Sequence, residues 1–298
     1  MASAAGIAQD EPIATTAARP RSRAWTRFRR HRLAIFGVGA ILLLVLACVV
    51  GPWVIPFDDL RIDVRHRFTP PFQSAHILGT DQLGRDLAAR LFMAGRISLA
   101  VGFCAMVIST VIGTVIGVIA GYYGRFVGAA LMRFVDAVLC FPSIFLLLAL
   151  AAFIRPSVVT ITLIIAATGW MEVARVVEGQ IRSLRERDFA VAAEMLGASD
   201  AHIMFRELIP NAIGPIVVAA TLTVARAILM EAYVSFLGYG IQPPVASWGN
   251  MLNNAQQYLA SAPWLAIFPG LMITLAVTSF NFIGDGLRDA LDARMDIH

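Results

Sequence analysis

The sequence predicts an all-α fold, a polytopic membrane helix bundle with six transmembrane helices and both termini in the cytoplasm. Hydrophobic residues make up 58% of the 298 positions and charged residues only 15%, whereas charged residues are about 25% of an ordinary globular domain. The apolar residues also form runs of the ~20 residues that a helix needs to cross about 30 Å of hydrocarbon. Lipid is therefore the expected solvent for most of the chain.

Six apolar runs are long enough to span a membrane, and polar or Gly/Pro-marked stretches separate them. The predicted spans are 33–55, 97–121, 127–153, 157–178, 212–240 and 264–286. The second predicted span carries Gly113, Gly117 and Gly121 at intervals of four, so these positions lie on one helix face. Such a face allows close approach of another helix, in this chain or in a second subunit.

The basic residues are all arginine, 24 in number, and there is no lysine. A P-loop ATPase and a pyridoxal enzyme both need a lysine, so this chain can be neither. Seven arginines lie between Arg19 and Arg32, and residues 1–32 are predicted to be a disordered basic cytoplasmic arm. A nucleic-acid arm would have the same composition, but a basic cluster directly before a span is typical of a cytoplasmic N-terminus. We therefore expect no nucleic-acid partner.

Charge bias supports this orientation, with sixteen arginines on segments predicted to be cytoplasmic and seven on external ones. Charges at membrane depth are costly, so Arg226 and Glu231 in the fifth span need an explanation. They are candidates for a polar translocation path. The alternatives are a structural pair or a contact with the fourth span, where Glu172 and Arg175 lie one turn apart. Arg133 and Asp136, also one turn apart, are expected to pair.

The segment of about 179–210, between the fourth and fifth spans, is patterned. Helical spacing places Phe189, Ala192, Ala193 and Leu196 on one narrow face, and Gly197 is a natural helix stop. Asp200 is expected to cap a second short helix that ends at Pro210. Such a helix is suited to a groove on another protein, although the pattern alone favours an amphipathic helix that rests on the lipid headgroups.

Four further stretches accompany this segment. They read LGTDQLGRD at 78–86, ILMEAYVSFLGYGIQPP at 228–244, SWGNML at 247–252 and NFIGDGLRDALD at 281–292. Together with FAVAAEMLGASDAHIMFRELIP at 189–210, they resemble the import permeases of ABC transporters in the dipeptide, oligopeptide and nickel subgroup, of the second permease subunit type. The coupling loop of this family has the pattern Glu-Ala-Ala, then Gly, then Ile-x-Leu-Pro. This sequence departs from the pattern at three positions, with Val191 for Glu, Glu207 for Ile and Ile209 for Leu.

The resemblance implies that residues 33–298 form a transmembrane permease domain in a bacterial cytoplasmic membrane, and that this chain is a transport subunit rather than an enzyme. It implies four kinds of neighbour: a second homologous permease chain, two P-loop ATPase subunits, an external substrate-binding protein and the lipid bilayer. Residues expected to couple to the ATPase are Phe189, Val191, Ala192, Ala193, Leu196, Gly197, Ser199 and Pro210. Candidates for docking at the external face are Asp81, Arg85, Asp86, Pro243 and Trp248.

Two other functions are open to the sequence. A secondary transporter driven by an ion gradient would use Glu231 and Arg226 as coupling groups, although no internal repeat is present. An intramembrane enzyme would need a catalytic or metal-binding motif, and none appears, so no cofactor is expected. Within the permease interpretation, the substrate can be a dipeptide, an oligopeptide, a glutathione-like peptide or a metal chelate.

Overall fold

The computed structural model describes residues 20–56, 58–73 and 75–291, and over these residues it is helical, with one isolated β-bridge between Thr80 and Asp86. The helices are α1 (Pro20–Arg30), α2 (Arg32–Val54), α3 (Leu87–Tyr123), α4 (Arg125–Leu139), α5 (Ser143–Phe153), α6 (Val158–Arg185), α7 (Asp188–Met195), α8 (Asp200–His202), α9 (Ile209–Phe236), α10 (Trp248–Ala255) and α11 (Trp264–Leu291). A π-helical turn, Ile203–Leu208, joins α8 to α9 without a break. This is the all-α membrane bundle that the composition predicts.

Five of these helices are long and apolar enough to cross a membrane, and the count is six if α4 and α5 form one broken span. The third predicted span, 127–153, is wrong as a single helix, because α4 and α5 are bent by 80° at Cys140–Pro142. Pro142 has no N–H to donate and disfavours helical backbone at the residue before it. Hydropathy alone does not register this break.

The second span begins at Leu87, ten residues before the predicted start at residue 97. Asp86 caps it by accepting a hydrogen bond from Ala89 N at 2.7 Å. The early turns carry Arg90 and Arg96, which the prediction placed in an external segment. Arg96 donates to the carbonyls of Cys48 at 2.8 Å and Val49 at 2.7 Å, near the end of α2. The Cys48 carbonyl would otherwise lack a helical donor, because Pro52, four residues further on, has no N–H.

The N-terminal arm is helical over Pro20–Arg30, which corrects the expectation of disorder for that part, while residues 1–19 lie outside the described residues. Phe28 of α1 is 8% exposed and packs with Ala34 and Ala290. Burial of this aromatic ring against α11 gives the arm a tertiary contact that a composition argument does not detect.

The centre of the bundle is the seam between α3 and α6. A Cβ on Gly113 would lie 2.6 Å from the Trp170 carbonyl, one on Gly117 2.6 Å from the Ala174 carbonyl, and one on Gly121 2.8 Å from the Glu178 carbonyl. Side-chain-free positions are therefore required along the whole contact. The helix that packs against the glycine face is α6 of the same chain.

Candidate functional site

The segment that follows α6 turns sharply at one end of the bundle; we call residues 186–208 the α7 segment. α7 ends before Gly197, whose φ of +80° lies in the left-handed region that glycine adopts without strain. Ser199, not Asp200, caps α8, since its hydroxyl accepts the His202 N–H at 3.3 Å. Pro210 does not end a helix as expected, because the helix continues from the π-helical turn Ile203–Leu208 through Pro210 to Phe236.

The two faces of α7 have different surroundings. Ala190 is 2% exposed and, together with the partly buried Ala193, packs on a cluster that includes Ile181 and Leu208. Met195 and Leu196 are 85% and 88% exposed on the other side. Phe189, Val191, Ala192, Gly197, Ser199 and Pro210 are also exposed. Of the predicted coupling residues, Ala193 alone packs against its own chain. The predicted face of α7 did not include Ala190, which the helix also buries.

Polar contacts tie the α7 segment to the spans. The Tyr122 hydroxyl at the end of α3 donates to Asp200 Oδ1 at 2.9 Å. The Arg185 guanidinium lies 5.1 Å from the centre of the Tyr122 ring and donates to the Tyr122 carbonyl. A cation over an aromatic face is an attractive arrangement. The α7 segment is thus held by α3 and α6 and continues directly into α9.

Half-exposed charged side chains lie near the middle of α6 and α9 and in the last turn of α4. Arg226 of α9 pairs with Glu172 of α6, and Arg175 of α6 pairs with Asp136 of α4. Of the alternatives for Arg226, the contact with the fourth span is confirmed, whereas Asp136 pairs with Arg175 instead of Arg133. A cavity beside Glu172 and Arg226 is lined by further polar side chains, namely Ser109, Ser143, Thr168 and Thr223. We call Asp136, Glu172, Arg175 and Arg226 with this cavity the charged face.

Glu231 does not belong to the charged face. Its side chain is 0% exposed and does not line the cavity beside Arg226. Arg226 and Glu231 are five residues apart in α9, which turns them toward different sides of the helix. Glu231 instead contacts serine side chains, Ser98 and Ser235.

The chain after α9 folds back over the other end of the bundle; we call residues 240–262 the α10 cap. Trp248 of the cap is 0% exposed, and its indole N–H donates to the Leu91 carbonyl at 3.1 Å. Pro243 is exposed. Of the two predicted docking residues in the cap, therefore, only Pro243 lies on the surface.

The other predicted docking residues hold the loop before α3 together. Asp81 accepts from Arg85 Nε at 2.7 Å and lies 3.6 Å from Arg90 Nε, and Asp86 caps α3 and contacts His76 Nδ1 at 2.8 Å. Asp81, Arg85 and Asp86 are 4%, 8% and 3% exposed. Their expected role as surface contacts is corrected, because buried charges need partners within the fold.

Sequence reasoning missed Ser98 and the cavity beside Arg226. A lone serine in an apolar run carries no signal of its own, and the cavity forms between four helices that are distant in sequence. Among the described residues, no group of three or more His, Cys, Asp or Glu side chains is arranged to hold a metal ion. The candidates for functional sites among the described residues are therefore the charged face, the α7 segment and the α10 cap.

Comparison with known proteins gives long matches. Residues 113–297 match the family described as binding-protein-dependent transport system inner membrane component, and residues 19–71 match the N-terminal TM domain of oligopeptide transport permease C. A protein of Brucella suis biovar 1 whose name describes a peptide permease is 42% identical over 281 residues, 94% of this chain and 93% of the relative. The dipeptide transport system permease protein DppC of Alkalihalophilus pseudofirmus is 39% identical over 280 residues, 94% of this chain and 92% of the relative.

Proposed function

Because this chain belongs to the family of binding-protein-dependent transport system inner membrane components, we propose that it carries short peptides inward on energy from separate ATPase subunits. The chain is a multi-pass inner-membrane permease of an ABC importer, and such permeases work with ATPase and substrate-binding partners. The chain has no lysine with which to build a P-loop. ATP hydrolysis therefore belongs to the partners, and this chain is a transport subunit.

The observation that carries the proposal is the exposure of Met195 and Leu196 on the α7 segment. Two large apolar side chains at a helix end are poorly placed in water, and a groove on a partner would bury them. We assign this contact to the ATPase. The buried Ala190 and the contacts of Tyr122 and Arg185 fix α7 to the spans. A push on Leu196 would therefore move α6 and α9 together.

The charged face is assigned to the translocation path. Four half-exposed charged side chains at the level of the spans would be costly against lipid, roughly 2.5 to 3.5 kcal/mol each at the bilayer centre. A water-filled path bounded by a second, homologous permease chain removes that cost. The path residues of this chain are then Arg226, Glu172, Arg175 and Asp136, and we propose a heterodimeric pore with two ATPase subunits.

The relatives' names supply the substrate class. One names a peptide permease and another a dipeptide transport system permease protein, so we propose short peptides, dipeptides first, delivered by an external binding protein. The α7 segment would face the cytoplasm together with both termini, as the arginine bias predicts. The α10 cap, with Pro243 exposed, would then face the binding protein.

The test of coupling is Leu196→Glu in the importer assembled with its ATPase, second permease and binding protein. A charge in an apolar groove should cost about 2 kcal/mol or more, roughly a 30-fold loss of ATPase affinity. We expect loss of ATPase co-purification and of ATP-driven uptake of labelled dipeptide, with membrane insertion unchanged.

The matched control is Ser183→Glu, which adds the same charge to the exposed last turns of α6 and should leave both readouts near those of the wild type. Full uptake by Leu196→Glu would contradict the coupling role. Equal losses in both variants would assign the effect to charge in general.

Transport driven by an ion gradient through Glu231 and Arg226 is not favoured by this geometry. Arg226 pairs with Glu172, and Glu231 has no surface open to water. Uptake that a protonophore abolishes, but that survives ATP depletion, would reverse this assignment.

A further inference from the structure

The side chain of Glu231 is enclosed at the junction of α3, α9 and the α10 cap. Its Oε1 accepts a hydrogen bond from Ser235 Oγ at 2.7 Å, and its Oε2 accepts one from Ser98 Oγ at 3.0 Å. Helices α3 and α9 therefore meet at one carboxyl group, and the α10 cap is linked to it through the same two serines.

The same serines hold the backbone of the cap. Ser235 Oγ accepts the Ile241 N–H at 3.1 Å, and Ser98 Oγ accepts the Trp248 N–H at 3.1 Å. Because each of these two serine oxygens already accepts an N–H, its own hydrogen is available to Glu231. Glu231 is thus the common acceptor of two hydrogen-bond relays that begin at backbone groups of the cap.

Packing around this carboxyl group leaves the cap little room to move alone. A Cβ on Gly249 would lie 2.7 Å from Ala232 Cα, so α10 rests directly on the backbone of α9. The Trp248 ring fills the space beside Gly95 of α3, where an added Cβ would lie 2.9 Å from a ring carbon. The hydrogen bonds to Glu231 therefore operate inside a close-packed contact, where they are strong.

From this arrangement we propose that Glu231 is a positioning residue that fastens the α10 cap to the outer end of α9, so that cap and helix move as one body. The helix from Asp200 to Phe236 is continuous. It therefore joins the α7 segment at one end to the cap at the other. A displacement of the α7 segment would be transmitted along this helix to the cap.

Glutamine is the informative replacement. It keeps the size of the side chain, but its amide N–H₂ would meet serine oxygens that each already accept a backbone N–H. At least one of the serine hydroxyls would then lose the carboxylate oxygen that accepts its hydrogen bond. Gln256→Ala is the matched control, because Gln256 also lies in the cap and makes only a 3.5 Å contact with the Phe236 carbonyl.

The first test measures whether the α10 cap and α9 keep a fixed distance from each other. Spin labels at Gln242→Cys in the cap and Val217→Cys in α9, with the three native cysteines replaced by alanine, report one distance in the assembled importer in nanodiscs. We expect a single narrow distance distribution, the same with and without a non-hydrolysable ATP analogue. Glu231→Gln should broaden it, whereas Gln256→Ala should not. A distance that changes with nucleotide in the otherwise wild-type background, or a narrow distribution in Glu231→Gln, would overturn the proposal.

The second test asks whether the fastening matters for transport, and it rests on the proposed function. Glu231→Gln should lower ATP-driven dipeptide uptake about tenfold or more, and stimulation of ATP hydrolysis by the loaded binding protein should fall with it. A Phe236→Cys/Asn253→Cys disulfide, placed where Asn253 Nδ2 donates to the Phe236 carbonyl at 2.7 Å, should restore both by fastening the cap covalently.

The outcomes separate the two proposals. Absence of ATP-driven uptake by the wild type would count against the proposed function and leave the distance measurement standing. Uptake by Glu231→Gln at the wild-type level would overturn the positioning role. So would a disulfide that forms in Glu231→Gln without restoring uptake, since a positioning residue acts only through the contact that the disulfide replaces.

Discussion

Arg226 and Glu231 illustrate how neighbouring charged residues in one span take separate roles. Both were candidates for a path because charge at membrane depth is costly. The Arg226 side chain is 58% exposed and pairs with Glu172, whereas Glu231 is 0% exposed and accepts hydrogen bonds from Ser98 and Ser235. The position of both residues in an apolar span identified the energetic cost of their charge. Only the tertiary structure showed how each charge is accommodated.

A charge reversal tests the pairing at the charged face. Arg226→Glu places two carboxylates together beside the cavity that we assign to the path, and we expect uptake to fall about tenfold or more, since like charges at close range repel. The double variant Arg226→Glu/Glu172→Arg should recover a substantial part of the loss. Uptake of labelled dipeptide by the assembled importer is the measurement.

The control for this cycle is Arg182→Glu, at a pair formed with Glu178 near the end of α6 and away from the cavity that Glu172 and Arg226 line. A surface pair contributes only about 0.2–1 kcal/mol, and this one does not line the proposed path, so little change in uptake is expected. A double reversal that shows no recovery would contradict the assignment of Arg226 to Glu172.

At the scale of helices, α3 and α6 are joined by backbone contact along a line of glycines. The four-residue spacing of Gly113, Gly117 and Gly121 predicted a packing face, and the structure assigns it to α6. The bend between α4 and α5 shows the opposite case. There an apolar run predicted one span, and Pro142 divides it into two helices.

Gly117→Leu tests the seam. Its Cβ would lie 2.6 Å from the Ala174 carbonyl, so the helices must separate, and overpacking of this kind costs about 1–3 kcal/mol or more. We expect a lower midpoint of thermal unfolding for the detergent-purified chain. Gly179→Leu is the control, since a Cβ at Gly179 meets nothing within 4 Å. Equal midpoints for the two variants would contradict the seam.

For the whole molecule, the two ends of the bundle carry different surfaces. The α7 segment presents exposed apolar side chains, whereas the α10 cap buries its tryptophan and exposes the loop around Pro243. The continuous helix from Asp200 to Phe236 joins them. This arrangement suits a permease that receives force at one side of the membrane and peptide at the other.

The orientation of the molecule can be tested by labelling. In a background with Cys48, Cys104 and Cys140 replaced by alanine, a membrane-impermeant maleimide should label Gln242→Cys in intact spheroplasts. Leu196→Cys should be labelled only after permeabilisation, because the arginine bias predicts that the α7 segment lies in the cytoplasm. The reverse pattern would show that both termini lie outside.

The sequence by itself determined the class of fold, the exclusion of a P-loop, the position of the α7 segment and the resemblance that the family match confirms. These properties follow from composition and from periodicity within single helices, which depend on near neighbours in the chain. The start of the second span was predicted ten residues too late. Arg90 and Arg96 lie inside α3 because they contact residues outside this helix, and the sequence pattern does not show those contacts.

Only the tertiary structure decided which side chains face outward. It buried Asp81, Arg85, Asp86 and Trp248, turned Ala193 inward and left Leu196 exposed. It also brought Ser98 to Glu231, although the two residues are 133 residues apart. Such contacts form only when distant helices pack, because a hydrogen bond needs its partner within about 3 Å and no local pattern encodes that meeting.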